Sequence, residues 1–270
     1  MPARSATINV MANAALKAAR GLIRDFGEVE QLQVSLKGPG DFVSAADLKA
    51  EKVLRTELGK ARPGYGFLME ESGGEAGSDP HHRWIVDPLD GTTNFLHGIP
   101  HFAISIGLER DGEIVAGVIY EPVRDEMFWA EKGAGAFHND RRLRVSARRH
   151  LTESLIGTGI PFIGRGDHPS YLATLAAVMA STSGVRRLGV ASLDLAYVAA
   201  GRLDGFWEFN LSPWDLAAGI LIVREAGGYV TDIGGGSGML GGGDVLAANA
   251  YLHEPLMQLL NKALKESATN

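Results

Sequence analysis

Residues 87–95 read Asp-Pro-Leu-Asp-Gly-Thr-Thr-Asn-Phe, directly after the apolar run Trp84-Ile85-Val86. Two carboxylates three positions apart at the end of a buried strand repel each other. Desolvating both is costly unless something positive lies between them. Pro88 fixes the local turn, so Asp87, Asp90 and the intervening Leu89 carbonyl can aim at one point. An anionic, all-oxygen ligand set is what a hard cation such as Mg²⁺ takes. Gly91-Thr92-Thr93 can in turn open a helix whose free N–H groups point at an anion. A cation site beside an anion site is the geometry of metal-assisted phosphoryl chemistry.

Further acids stand at comparable junctions. Asp47 closes Ser44-Ala45-Ala46-Asp47 and Asp215 closes Ser212-Pro213-Trp214-Asp215. Both have the Ser-x-x-Asp pattern of a capping box, with Pro213 placed for a first helical position. Taken singly, Asp47 and Asp215, like Asp90 and Thr92, have a purely structural reading as helix caps. Glu70 and Glu71 follow the short strand pattern Tyr65–Met69. Successive strand side chains point to opposite faces, so only one of this pair is expected to face a shared site. His81 and His82, beside Arg83, read as surface residues, because oxygen ligands suffice for a hard cation. What weighs against the capping reading is the set: several junctions each present an acid, and one also carries the anion-binding Gly-Thr-Thr.

These residues act together only if the chain brings them together. Ile8, Ala12, Ala15, Ala19, Leu22, Ile23 and Phe26 recur at spacings of three and four, which predicts an amphipathic helix over 8–26. A second helix is expected over 45–58 with Leu48, Leu54 and Leu58 inward. The stretch 83–88 reads as a short buried strand stopped by Pro88. From Phe102 to Val145, β-rich runs separated by Asp111-Gly112, Val123-Arg124-Asp125 and Gly133-Ala134-Gly135 predict an antiparallel meander. The second half alternates, with strands at 154–160, 204–209, 229–233 and 244–248. Its helices are expected at 169–181 and 191–201, from Pro213, and after Tyr251. Layered helices and sheets, α/β or α+β, follow, as one compact unit of two halves, 1–148 and 149–270.

The composition narrows the class. With 45% hydrophobic and 21% charged residues, the 270-residue chain sits near the averages for soluble globular proteins, so disorder is not expected. The absence of cysteine excludes disulfides and thiolate metal sites, so any metal has oxygen or nitrogen ligands. No apolar run approaches the roughly 18 residues of a membrane span, and the expectation is a cytoplasmic protein. A formal charge of −6 argues against a nucleic-acid partner. The one basic cluster, Arg141, Arg142, Arg144, Arg148 and Arg149, reads as a solvated strand and linker.

The segments Met69–Ser72, Trp84–Gly98 and Pro213–Gly228, in that order, resemble the signature segments of the inositol monophosphatase family, lithium-sensitive, magnesium-dependent phosphomonoesterases. Asp41–Asp47 before them and Gly201–Glu208 between them fit as well, and the resemblance covers about residues 8–262. It implies a five-layer α-β-α-β-α sandwich of the inositol monophosphatase and fructose-1,6-bisphosphatase type, usually a homodimer. It also implies that Glu70, Asp87 and the Leu89 carbonyl hold one Mg²⁺ and that Asp87, Asp90 and Asp215 hold a second. A third, weaker ion near Glu70 occurs in some members. By the same resemblance Thr92 and Asp47, with Glu70, activate the attacking water, with no covalent phosphoenzyme. Asp90 and Asp215 lie around the departing alcohol, Gly91 and Thr92 hold the phosphate, and Ala191 (backbone) and Glu208 contact the alcohol.

Gly159–Phe162 and Asn210–Pro213 differ from the animal inositol enzymes and look more like bacterial members. Bacterial members act on several phosphate monoesters, and fold analogy does not choose among them; by the resemblance, myo-inositol monophosphate and related polyol or sugar phosphates are the first expectation. Histidinol phosphate, fructose 1,6-bisphosphate and adenosine 3′,5′-bisphosphate are the alternatives among sister enzymes. A metal-binding regulatory dimer without turnover is the alternative from another class. Against it stands the complete set Asp47, Glu70, Asp87, Asp90, Thr92 and Asp215.

Overall fold

The computed structural model describes residues 4–28, 34–38 and 41–269. In chain order the elements begin with α1 (Ala6–Phe26), the antiparallel pair β1 (Val34–Gly38) and β2 (Asp41–Ser44), and α2 (Ala45–Ala61). Next come β3 (Tyr65–Met69), β4 (Gly73–Glu75), β5 (Asp79–Asp90) and the short α3 (Thr92–Leu96). The meander β6 (Ala103–Arg110), β7 (Glu113–Glu121), β8 (Glu126–Glu131), β9 (Gly135–His138) and β10 (Arg141–Arg142) follows. The rest runs β11 (Leu155–Thr158), α4 (His168–Ser181), β12 (Gly184–Arg186), α5 (Ala191–Ala199), β13 (Gly205–Glu208) and α6 (Pro213–Glu225). It ends with β14 (Tyr229–Thr231), α7 (Met239–Gly242), β15 (Val245–Ala248) and α8 (His253–Ser267).

One sheet has eight strands in the order β10-β9-β8-β7-β6-β5-β3-β4, antiparallel except where β3 runs parallel to β5. The other has five in the order β12-β11-β13-β15-β14, with β11 parallel to both its neighbours. Both sheets are covered on both faces, and the side-chain period of two shows it. On β5, Trp84 and Val86 pack with Leu22 of α1 and Leu54 and Leu58 of α2, while Ile85 between them packs with α5 and α6. On β13, Phe206 joins the same central layer, while Trp207 packs with Tyr171 of α4 and Leu256 of α8. The layers are thus α1/α2, the large sheet, α5/α6, the small sheet, and α4/α8, the α-β-α-β-α order that the resemblance implied. No helix among the described residues is long and apolar enough to cross a membrane.

Three local expectations are corrected. Leu48 is 55% exposed and Ile23 48% exposed, each one residue off the buried stripe of its helix. Pro88 does not stop β5, which continues to Asp90; instead the pairing with β6 shifts register between Asp87 and Asp90. At such an irregularity the N–H that proline lacks is not required by the ladder. The short strands β4 and β12 were not anticipated, because three residues carry too little pattern to be read.

Candidate active site

Across the shift in β5, Asp87 and Asp90 converge on one spot at the C-terminal end of this interior strand. The chain then turns through Gly91, whose φ of 96° is left-handed, and enters α3. A side chain at 91 would place its Cβ 2.8 Å from Cγ2 of Val190 and 3.3 Å from the His101 carbonyl, so the turn has no room for one. No side chain caps α3, which leaves its first N–H groups to other acceptors.

Asp87, Asp90 and Asp215 each offer a carboxylate oxygen, and these three atoms lie within 4.8 Å of one another. Asp215 arrives from the first turn of α6, and Glu70 from the end of β3, where its carboxyl is in hydrogen-bonding reach of Asp87. Each aspartate is oriented by a backbone N–H. Leu89 N donates to Asp87 Oδ1 at 2.8 Å, Ser192 N to Asp90 Oδ2 at 2.8 Å and Ser212 N to Asp215 Oδ2 at 2.8 Å. Asp47, fully buried, accepts from Ser44 N at 2.9 Å on Oδ2, while its Oδ1 lies 3.0 Å from the Thr92 hydroxyl. The capping role and a role in the site are therefore not alternatives for Asp47 and Asp215. Asp47 closes its cap with one oxygen and meets Thr92 with the other, and Asp215 both closes its cap and joins the carboxylate cluster.

The electrostatics of the cluster are those of buried carboxyl groups that repel one another. Burial, then Glu70, Asp90 and Asp215, hold the Asp87 carboxyl well above the usual carboxylate range. Burial followed by Asp90 pushes Asp215 up to about 8, and Arg165 offsets only a small part of this. Burial pushes Asp90 up to about 6 against the opposing hydrogen bond from Ser192. Asp47 is raised, chiefly by burial. Hard oxygen donors, mutually repelling and converging on one point, fit a divalent cation such as Mg²⁺, whose charge offsets their repulsion and favours the ionised carboxylates.

Beside the cluster opens a cavity of about 250 Å³ whose wall includes Asp90, Gly91, Thr92, Ala191, Glu208 and Asp215. Six of the residues singled out in the sequence thus share one wall, Asp87 joins two of them in the carboxylate cluster, and Asp47 is tied to the wall through the Thr92 hydroxyl. Glu208 lies across Gly159, where a Cβ would fall 1.8 Å from its Oε1. Burial, then Asp215 and Asp90, push its carboxyl up to about 8. Arg165 and Arg187 also line this cavity and were missed in the sequence. Their only local trace is glycine: at Gly189, φ is 79°, and a Cβ would meet the Arg187 guanidinium at 2.7 Å. Asp194 was missed as well. It is 1% exposed on α5, neither carboxyl oxygen has a hydrogen-bond partner among the described residues, and burial followed by Glu208 raises its carboxyl strongly.

A five-layer fold with carboxylates converging beside a glycine turn defines a metal-dependent phosphatase. The chain belongs to the inositol monophosphatase family, to which residues 4–268 match. It is 63% identical over 262 residues to the inositol-1-monophosphatase of Mesorhizobium japonicum, covering 97% of this chain and 98% of that protein. The crystal structure of the extragenic suppressor protein suhB of Bartonella henselae superposes with a TM-score of 0.93 at 61% identity, covering 96% of this chain and 99% of that one. A putative Nus factor SuhB of Neisseria meningitidis is 45% identical, covering 94% of this chain and 99% of that protein.

Proposed function

We propose that this chain is a Mg²⁺-dependent phosphomonoesterase that hydrolyses myo-inositol monophosphate and related polyol phosphates. The observation that carries this reading is the cluster of Asp87, Asp90 and Asp215, each pinned by one backbone N–H, beside the Gly91 turn. Glu70, Asp87 and the Leu89 carbonyl are the residues to hold a first Mg²⁺, and Asp87, Asp90 and Asp215 a second, with a weaker third near Glu70. Bound there, Mg²⁺ acidifies water and neutralises charge developing on the leaving oxygen.

The chain's own groups do the rest. The Thr92 hydroxyl donates to Asp47 Oδ1, which leaves Thr92 Oγ1 to accept a hydrogen bond from the attacking water. The Asp47–Thr92 pair thus orients that water and draws off its proton. The Gly91 and Thr92 N–H groups hold phosphate oxygens in line. The Ala191 backbone and Glu208 face the alcohol, whose hydroxyls they bind. The working unit in this reading is a cytoplasmic homodimer.

A regulatory role without turnover is the second reading, favoured by the Nus factor name of the Neisseria relative. The two readings separate in a phosphate-release assay of the purified chain on inositol 1-phosphate, histidinol phosphate, fructose 1,6-bisphosphate and adenosine 3′,5′-bisphosphate. Release that needs Mg²⁺, stops in chelator and is not restored by Ca²⁺ supports the enzyme, because the larger, looser shell of Ca²⁺ misplaces the water. Turnover undiminished in excess chelator, or none on any substrate, overturns it.

A further inference from the structure

A second cavity, of about 300 Å³, adjoins the first and shares with it Gly159, Ile160, Phe162, Arg165, Glu208 and Leu211. Glu208 stands at the junction, and Gly159 leaves it the space to do so. Beyond that junction the wall is largely apolar, with Pro161, Phe162, Tyr171, Phe209, Leu211 and Leu264. The charged groups on it are Arg165, Glu208, Asp167 and Asp244. Arg165 is already engaged, donating to the Asn210 carbonyl at 2.6 Å and standing 5.7 Å over the Phe162 ring.

We propose that this alcove is a second leaving-group subsite, taking an uncharged aromatic or apolar group carried by the alcohol whose phosphate sits at the carboxylate cluster. The inference rests on the phosphatase reading and narrows its substrate class. A cavity of this size accommodates one ring, and apolar walls favour burying it. A second phosphate placed there meets the carboxylates of Asp167 and Asp244 against the single guanidinium of Arg165, so bisphosphates are disfavoured by the excess of negative charge. The wall thus selects among alcohols by what they carry beyond the first ring.

The test compares kcat/KM for glycerol 2-phosphate and its 1-O-benzyl ether, which are alike at the phosphate and differ only in reach. The ether is expected to gain about tenfold, as burial of a phenyl ring allows, and fructose 1,6-bisphosphate is expected to gain nothing. Ser170→Trp fills the alcove from α4, where the native hydroxyl only meets Asp167. It is expected to abolish the gain, with glycerol 2-phosphate turnover as the control for folding. Leu264→Trp intrudes on the same space from α8 and decides the matter if the Ser170 variant does not fold. Equal kcat/KM for ether and parent, or a gain retained in a folded filled variant, overturns the proposal. Absence of chelator-sensitive release from glycerol 2-phosphate itself brings down the phosphatase reading, and the subsite with it.

Discussion

Asp47 carries two loads at once. Its Oδ2 closes the cap of α2 through Ser44 N at 2.9 Å, and its Oδ1 meets the Thr92 hydroxyl at 3.0 Å. Asparagine keeps a cap acceptor but removes the basic oxygen. Asp47→Asn is therefore expected to lower kcat roughly a hundredfold or more with only a small change in Tm, since Asn caps about as well as Asp. Near-normal turnover in that variant would return Asp47 to capping alone. Glu208 faces the cavity without being part of the three-carboxylate cluster. Glu208→Gln should weaken kcat/KM on inositol 1-phosphate by the loss of a charged acceptor, about 1.5–3 kcal/mol, and leave phenyl phosphate nearly unaffected. Equal losses on both substrates would assign Glu208 to the metal site or the fold.

Asp215 reaches the cluster because α6 lies close on the large sheet. A Cβ on Gly107 would sit 2.8 Å from the Ala217 Cβ, and one on Gly117 would sit 2.9 Å from the Ala218 carbonyl oxygen. Gly117→Ala forces the helix outward against a packed central layer. It is expected to cost about 1–3 kcal/mol of stability and, because Asp215 lies one turn away, to raise the Mg²⁺ concentration needed for half-maximal activity. A variant that loses stability but keeps its Mg²⁺ requirement would show that the helix position does not set the cluster. These dependencies also mark what the sequence could reveal. Asp47, Glu70, Asp87, Asp90 and Asp215 are legible because each sits in a local pattern, a cap, a strand end or a turn, that survives without tertiary context. Arg165, Arg187 and Asp194 carry no such pattern. They come to the site by the docking of the small sheet and α5, and α5 opens with no side-chain cap to draw attention to it. Likewise the alternation of β5 reads as one buried strand, but the irregularity that carries it past Pro88 depends on its pairing with β6.

The acids that converge between the layers make the stability of the whole molecule depend on pH and metal together. Without metal, the folded carboxyls of Asp90, at about 6, and of Asp215 and Glu208, at about 8, lie above their unfolded values near 4. The fold then binds protons that the unfolded chain has released, so this contribution is fully present below about pH 4 and is lost as pH rises through about 8. Metal-free protein should accordingly lose Tm between about pH 5.5 and about pH 8.5. Mg²⁺ acts in the opposite sense, because it binds the deprotonated cluster and competes with those protons. Saturating Mg²⁺ should raise Tm at the higher pH by on the order of 5–10 °C and do little at the lower. In Asp215→Asn, which removes one ligand and its repulsion, the metal-free protein should lose less Tm across this range and the Mg²⁺ effect should shrink. Thermal unfolding at the two pH values, with Mg²⁺ and with chelator, makes the comparison. A Mg²⁺ shift as large at about pH 5.5 as at about pH 8.5 would mean that the ion is held elsewhere than by these raised carboxyls.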